Sequence, residues 1–426
     1  MSISMKNVLF LLTLLLFPSL MHGVESYRPE ISVAGFIPLQ GSGRQIYNFN
    51  PGWRYYKGDV QGAESVSFDD SAWEIVPTPH TVELMPAEAS GCRNYQGIVW
   101  YRKRFVIPAE TKGQNVSIHF EAVMGKQSVY LNGKLVKEHL GGYLPFSINL
   151  TENGVHAGDS CLIAVLADNS DDKTFPPGKR QYTLDFAYHG GIYRDVWMIA
   201  KSAVVITDAV ESGRVAGGGV FVHYDKISEK SAEVYVDTEV RNDGSGMRNV
   251  SVETAFTDAG GKLIKQISGS VTLKAGETRT VKQKLVVNKP QLWSPDSPYL
   301  YRVESRVKEK GKYIDGGITR VGIRKAEFKG KDGFWLNGKP FGQLIGANRH
   351  QDFAYVGNAL PNSGHWRDAK KLRDAGCRII RVAHYPQDPS FMDACDELGM
   401  FVIVATPGWQ YWNKDPEFAL LVHENT

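Results

Sequence analysis

Residues 378–405 read RIIRVAHYPQDPSFMDACDELGMFVIVA. Two short apolar runs, Arg378–Ala383 and Met400–Ala405, bracket a segment that opens at Asp388-Pro389 and stops at Gly399. An acceptor side chain followed by Pro in the first turn starts a helix, and Gly just past the last turn ends one. The stretch therefore reads strand, helix, strand. Upstream, the apolar run Phe341–Ala347 precedes a helical pattern with Trp366, Ala369 and Leu372 on one face and Gly376 as its stop. Downstream, Asp415-Pro416 opens a third pattern with Phe418, Leu421 and Val422 at helical spacing. The order β-α-β-α-β-α implies a parallel sheet with right-handed crossovers. Three such units fill about 86 residues, whereas a (β/α)8 TIM barrel takes about 250. Residues 326–426 are expected to be the N-terminal part of such a barrel, incomplete at Thr426.

Before Lys325 the period changes from helical to alternating. Val99–Phe105 is a strand signal, and Ser128–Leu131, Asn132-Gly133 and Lys134–Val136 form a hairpin signal, because Asn-Gly tolerates the positive φ of a tight turn. Helical periodicity is nearly absent, so residues 27–202 read as an antiparallel sandwich. In residues 203–325, Val234, Val236, Thr238 and Val240 share one face while Glu233, Tyr235, Asp237 and Glu239 share the other. Val250, Val252, Thr254 and Phe256 repeat the period, and Asp258-Ala259-Gly260-Gly261 turns the chain. Short alternating strands at this spacing suggest an immunoglobulin-like β-sandwich.

The 426 residues are enough for two to four domains, with 42% hydrophobic and 22% charged residues. That composition excludes disordered, collagen-like and coiled-coil classes. A net charge of +3 gives no electrostatic case for nucleic acid or an acidic membrane surface. At the N-terminus, Lys6 and the short apolar run Val8–Leu20 read as a signal peptide over 1–25, too short to span a bilayer. The mature chain is thus expected to be exported, periplasmic or secreted. Cys92, Cys161, Cys377 and Cys395 form no CxxC pair, which argues against structural zinc. Whether Cys92 bridges Cys161 is left open by their spacing.

Five segments, in order, resemble glycoside hydrolase family 2, the β-galactosidase and β-glucuronidase group. Val99-Trp100-Tyr101-Arg102, Leu131-Asn132-Gly133 and Gly141–Phe146 look like its N-terminal jelly-roll, often called the sugar-binding domain. Asp185-Phe186 with Gly190–Val196 looks like the end of that domain. Leu292–Pro295, Pro298–Tyr301 and Gly322–Arg324 resemble the immunoglobulin-like domain. Gly346–Asp352 and Arg381–Pro386 resemble the first two barrel strands.

The resemblance implies a retaining glycosidase, most simply a β-galactosidase, with a β-glucuronidase or a non-catalytic carbohydrate-binding remnant as alternatives. Retaining glycosidases use two carboxyl groups about 5–5.5 Å apart. In the family these are Glu residues on strands four and seven, which are expected beyond Thr426, so no catalytic residue is assigned within this chain. Glu424-Asn425 has the wrong order and lies on a helix pattern. What the resemblance places here is the sugar-gripping half: Asp185 from the jelly-roll, His350 and His384 from strand ends, Arg381 orienting the nucleophile, Asn348 beside them and Trp409 stacking on a sugar face. Residue by residue the structural alternatives stay open: Asp185 as a turn cap, Arg381 in an ion pair, Trp409 in a core. No cofactor is implied. The Mg²⁺ of some relatives is not expected, since Val404-Ala405-Thr406-Pro407-Gly408-Trp409 carries no carboxylate. The resemblance leaves room for a homo-oligomer of a longer form.

Overall fold

Gly346–Arg349 (β1), Ile379–Val382 (β2) and Phe401–Val404 (β3) pair in parallel, with Asn348 beside Arg381 and Arg381 beside Ile403. This arrangement comes from a computed structural model that describes residues 29–85, 94–407, 411 and 413–424. The crossovers are Asn362–Asp374 (α1) and Pro389–Leu398 (α2), and Pro416–Glu424 (α3) follows β3. The punctuation acts as the sequence implied. Asp388 caps α2 by accepting from the Ser390 N–H at 2.9 Å, Pro389 sits in the first turn, and Gly399 ends the helix at φ 76°. Ile380 and Val382 face the helices and pack with Ala369, Phe391, Ala394, Cys395 and Met400. The opposite face carries Asn348, Arg381 and Ile403, all at least partly exposed.

The first strand starts later than the apolar run suggested. Phe341 N–H still bonds to the Phe334 carbonyl at 2.9 Å, so it belongs to the hairpin of Phe334–Leu336 and Lys339–Pro340. Strand pairing begins at Gly346, where a Cβ would lie 1.6 Å from the Ile379 carbonyl oxygen. Only glycine admits that approach.

The chain divides into two units, Met1–Glu30 and Ile31–Thr426. Two antiparallel sheets open the second. One has six strands, in the order 74–76, 53–57, 98–106, 160–168, 126–131 and 134–140; the other has four, in the order 45–48, 196–201, 115–120 and 146–149. Trp53, Tyr101, Ile118, Phe120, Val129 and Ile163 fill the space between them and are fully buried. Asn132 (φ 51°) and Gly133 (φ 83°) make the expected hairpin turn.

A second pair of four-stranded sheets follows, one around Ser231–Asn242 and one around Arg248–Thr257. Val234, Val236, Thr238 and Val240 are buried as the alternation implied, but so is Glu239. Its carboxylate accepts from Thr207 Oγ1 at 2.9 Å and pairs with Arg214. The segment near Ile37 joins this region, exchanging two backbone hydrogen bonds with Ile318. A buried Asp315 joins the two sandwiches, holding Arg44 through two 2.7 Å bonds and the Ile206 N–H through a third. Among the described residues no helix is long and apolar enough to cross a membrane. The N-terminal apolar run, Trp409 and Cys92 lie outside the described residues; Cys161 is a buried free thiol.

Candidate sugar-binding site

The cluster assembles where a jelly-roll loop meets the C-terminal ends of β1 and β2. The loop is pinned from beneath by two buried amides. Asn169 Nδ2 donates to the Tyr188 carbonyl at 2.6 Å, and Gln181 accepts from the Tyr188 N–H at 2.8 Å while donating to the Asn169 carbonyl. This leaves Asp185 exposed at the loop surface and Phe186 buried. His350 directly follows β1 and His384 lies two residues past β2. The two strand ends are tied together: Arg349 Nη1 donates to Gln387 Oε1 at 2.6 Å, and Gln387 Nε2 donates back to the Arg349 carbonyl.

Three of the expected residues converge. Ligand atoms of Asp185, His350 and His384 all lie within 4.8 Å of one another. His384 Nε2 is 3.5 Å from Asp185 Oδ2, and its Nδ1 is 2.9 Å from a guanidinium nitrogen of Arg381. A guanidinium can only donate. Nδ1 must therefore accept, and the proton of the neutral ring sits on Nε2, facing Asp185. Burial holds His384 below its ordinary pKa; the charges of His350 and Arg381 add to that, and Asp185 opposes it. The resulting surface pairs an acceptor carboxylate with an N–H donor. It suits hydroxyl groups better than a metal ion, because a metal-binding Nε2 would require the proton on the nitrogen that Arg381 already occupies.

Arg381 thus has a partner the resemblance did not name. Asn348 stands exposed on β1 beside Arg381. Glu424 is exposed at the end of α3.

The sequence reading missed the aromatic floor. Phe186 lies 5.7 Å, between ring centres, from both His350 and His384, and 5.4 Å from Tyr385. Tyr385 stacks on Tyr143 at 4.2 Å and 7°. Both tyrosines sit inside the motifs Gly141–Phe146 and Arg381–Pro386, but only the fold shows that those motifs touch.

Residues 53–202 match the family model for glycosyl hydrolases family 2, sugar binding domain; 215–324 match glycosyl hydrolases family 2; and 327–415 match the family's TIM barrel domain. A beta-galactosidase of Thermoanaerobacter pseudethanolicus is 35% identical over 370 residues, covering 87% of this chain and 47% of that protein. A beta-glucuronidase of Formosa agariphila is 31% identical over 386 residues, covering 86% of this chain and 38% of that one. Among solved structures, Bacteroides uniformis beta-glucuronidase 2 covalently bound to cyclophellitol-6-carboxylate aziridine superposes with a TM-score of 0.79 at 31% identity, over 90% of this chain and 44% of that one. The chain spans about half the length, or less, of these relatives. With a sugar-binding jelly-roll, an immunoglobulin-like sandwich and the opening strands of a TIM barrel in that order, it belongs to glycosyl hydrolase family 2.

Proposed function

We propose that this chain is the sugar-gripping part of a retaining β-glycoside hydrolase acting on β-D-galactosides. The convergence of Asp185, His350 and His384 carries the reading. A carboxylate accepts from sugar hydroxyls and an Nε2–H donates to them, so the cluster holds one sugar ring at the mouth of the barrel strands. Retaining hydrolysis also needs two carboxyl groups about 5–5.5 Å apart, one acid/base and one nucleophile. In this proposal both come from barrel strands outside the 426 residues, and the chain alone positions sugar without cleaving it.

Galactose is favoured by the 35% identity to a beta-galactosidase. The beta-glucuronidase relatives support a second reading, glucuronide hydrolysis. A uronate carboxylate requires a cationic partner; in this proposal such partners belong to later barrel loops, so the choice of galactose rests on the relatives alone. Export also belongs to the proposal, on the Lys6 and Val8–Leu20 pattern; the N-terminal sequence of protein from the expressing cell tests it, and retention of Met1 would reject it.

The test is a titration of the purified chain with D-galactose and D-glucuronate, alongside a nitrophenyl β-galactoside assay. Galactose binding without turnover is expected. Tighter binding of glucuronate would select the second reading. Turnover by the 426-residue chain, or no binding of either sugar, would overturn the proposal.

A further inference from the structure

Arg194 lies on the jelly-roll loop past Asp185, yet its guanidinium reaches across to the barrel. Nη2 donates to Gln351 Oε1 at 3.1 Å and to the Pro386 carbonyl at 2.8 Å. Gln351 is the neighbour of His350, and Pro386 is two residues from His384. Nη1 donates to the Tyr143 carbonyl at 3.2 Å, and Tyr143 stacks on Tyr385, the neighbour of His384. Nε lies 3.8 Å from Asp388 Oδ2, at the cap of α2. One side chain, 3% exposed, thus fastens the segments that follow both histidines to the domain that carries Asp185.

Fixing two strand-end segments to a third segment at once needs several donors in one rigid plane, which arginine has and lysine lacks. Asp185 makes none of these bonds: its loop is pinned by Asn169 and Gln181. The distance between Asp185 and the histidines then depends on the ties between jelly-roll and barrel, and Arg194 holds the residues nearest both histidines; His189 beside Asp352 and Asp195 with Asn362 are further, more distant ties. We infer that Arg194 is a positioning residue that sets the spacing between Asp185 and the His350–His384 pair, and through it the affinity for sugar. The inference rests on the sugar-binding reading of that cluster for its functional consequence, but not for its geometry.

Arg194→Lys keeps a cation beside Asp388 and removes the fork. The experiment compares the full chain and this variant in two measurements: D-galactose titration, and side-chain ¹⁵N spectra of histidine-labelled protein. The expected result is a thermal midpoint near that of the parent, at least a tenfold loss of galactose affinity, and shifted imidazole signals for His350 and His384 with His223 and His423 unmoved. Unshifted His350 and His384 signals in the folded variant would overturn the inference, as would unchanged affinity. Should the lysine variant fail to fold, Gln351→Leu removes one acceptor at constant charge and is expected to shift the same two signals; no shift there overturns it equally. If the parent binds no sugar, the failure belongs to the proposed function, and the imidazole spectra still decide the positioning role.

Discussion

Nδ1 of His384 accepts from Arg381 at 2.9 Å while Nε2 of the same ring faces Asp185 Oδ2 at 3.5 Å. This relation makes His384 a fixed-tautomer donor, and its loss has a defined cost. A buried hydrogen-bond partner removed from a bound hydroxyl costs about 1–3 kcal/mol, roughly 5- to 150-fold in affinity. His384→Ala is expected to weaken sugar binding within that range, and Asp185→Asn, at an exposed position, by less. Titration of the variants checks this, and an affinity equal to that of the parent would remove the residue from the site.

The same relation sets a pH dependence. His384 is held below its ordinary pKa of 6.5 by burial, with Arg381 and His350 adding to the effect. The neutral ring that accepts from Arg381 therefore persists as pH falls through 6.5; only at lower pH does a proton on Nδ1 break the bond from Arg381, displace the ring and weaken binding. Galactose affinity measured from pH 7.5 downward should be flat through 6.5. A midpoint at 6.5 would mean that His384 is not the titrating donor.

His365 provides a stability test. It is fully buried, with Nδ1 3.0 Å from Arg349 Nη2, and burial lowers its pKa from 6.5 to about 4, with Asp388 opposing and Arg349 adding. Since the folded chain takes up this proton less readily, its contribution is present above 6.5 and is lost as pH falls from 6.5 to about 4. One proton costs about 1.4 kcal/mol per pH unit, so between pH 6.5 and 5 the parent should lose about 2 kcal/mol more than His365→Gln. Urea unfolding at the two pH values checks it; equal losses would contradict it.

The Tyr143–Tyr385 stack separates ring from hydroxyl. The Tyr143 hydroxyl is buried without a hydrogen-bond partner among the described residues. Tyr143→Phe should therefore be neutral or slightly stabilising, whereas Tyr143→Ala should cost about 3–5 kcal/mol through lost packing under Tyr385. Thermal unfolding of the pair distinguishes the two; a costly Phe variant would show that the hydroxyl is bonded in solution.

The Arg44–Asp315 pair tests how the sandwiches are joined. Asp315 is fully buried, and removing Arg44 strands its charge. Arg44→Met should destabilise the chain by about 3–5 kcal/mol. A change under 1 kcal/mol in denaturant unfolding would mean that the pair does not hold the two together.

Much of this was legible in the sequence where the chemistry is local. Asp388-Pro389 and Gly399 bound a helix by their own backbone needs, and Asn132-Gly133 turns a hairpin wherever it occurs. The burial of Glu239 could not be read from the alternation, because Thr207 and Arg214, which make it tolerable, come from another segment. Phe341–Ile345 looked like a strand from its apolarity alone, but the close approach at Gly346 decides where pairing begins. For the site, the residue types were readable only through the family resemblance. No spacing connects Asp185 with His350 and His384, because two domains bring them together. The partner of Arg381 and the fastening role of Arg194 are properties of geometry, and they became visible only with it.

The most direct measurement is a crystal structure of the chain soaked in D-galactose. The account predicts one sugar ring with hydroxyl oxygens about 2.6–3.2 Å from the Asp185 carboxylate and from His384 Nε2. A sugar bound elsewhere, or a pocket without sugar at saturating concentration, would contradict it.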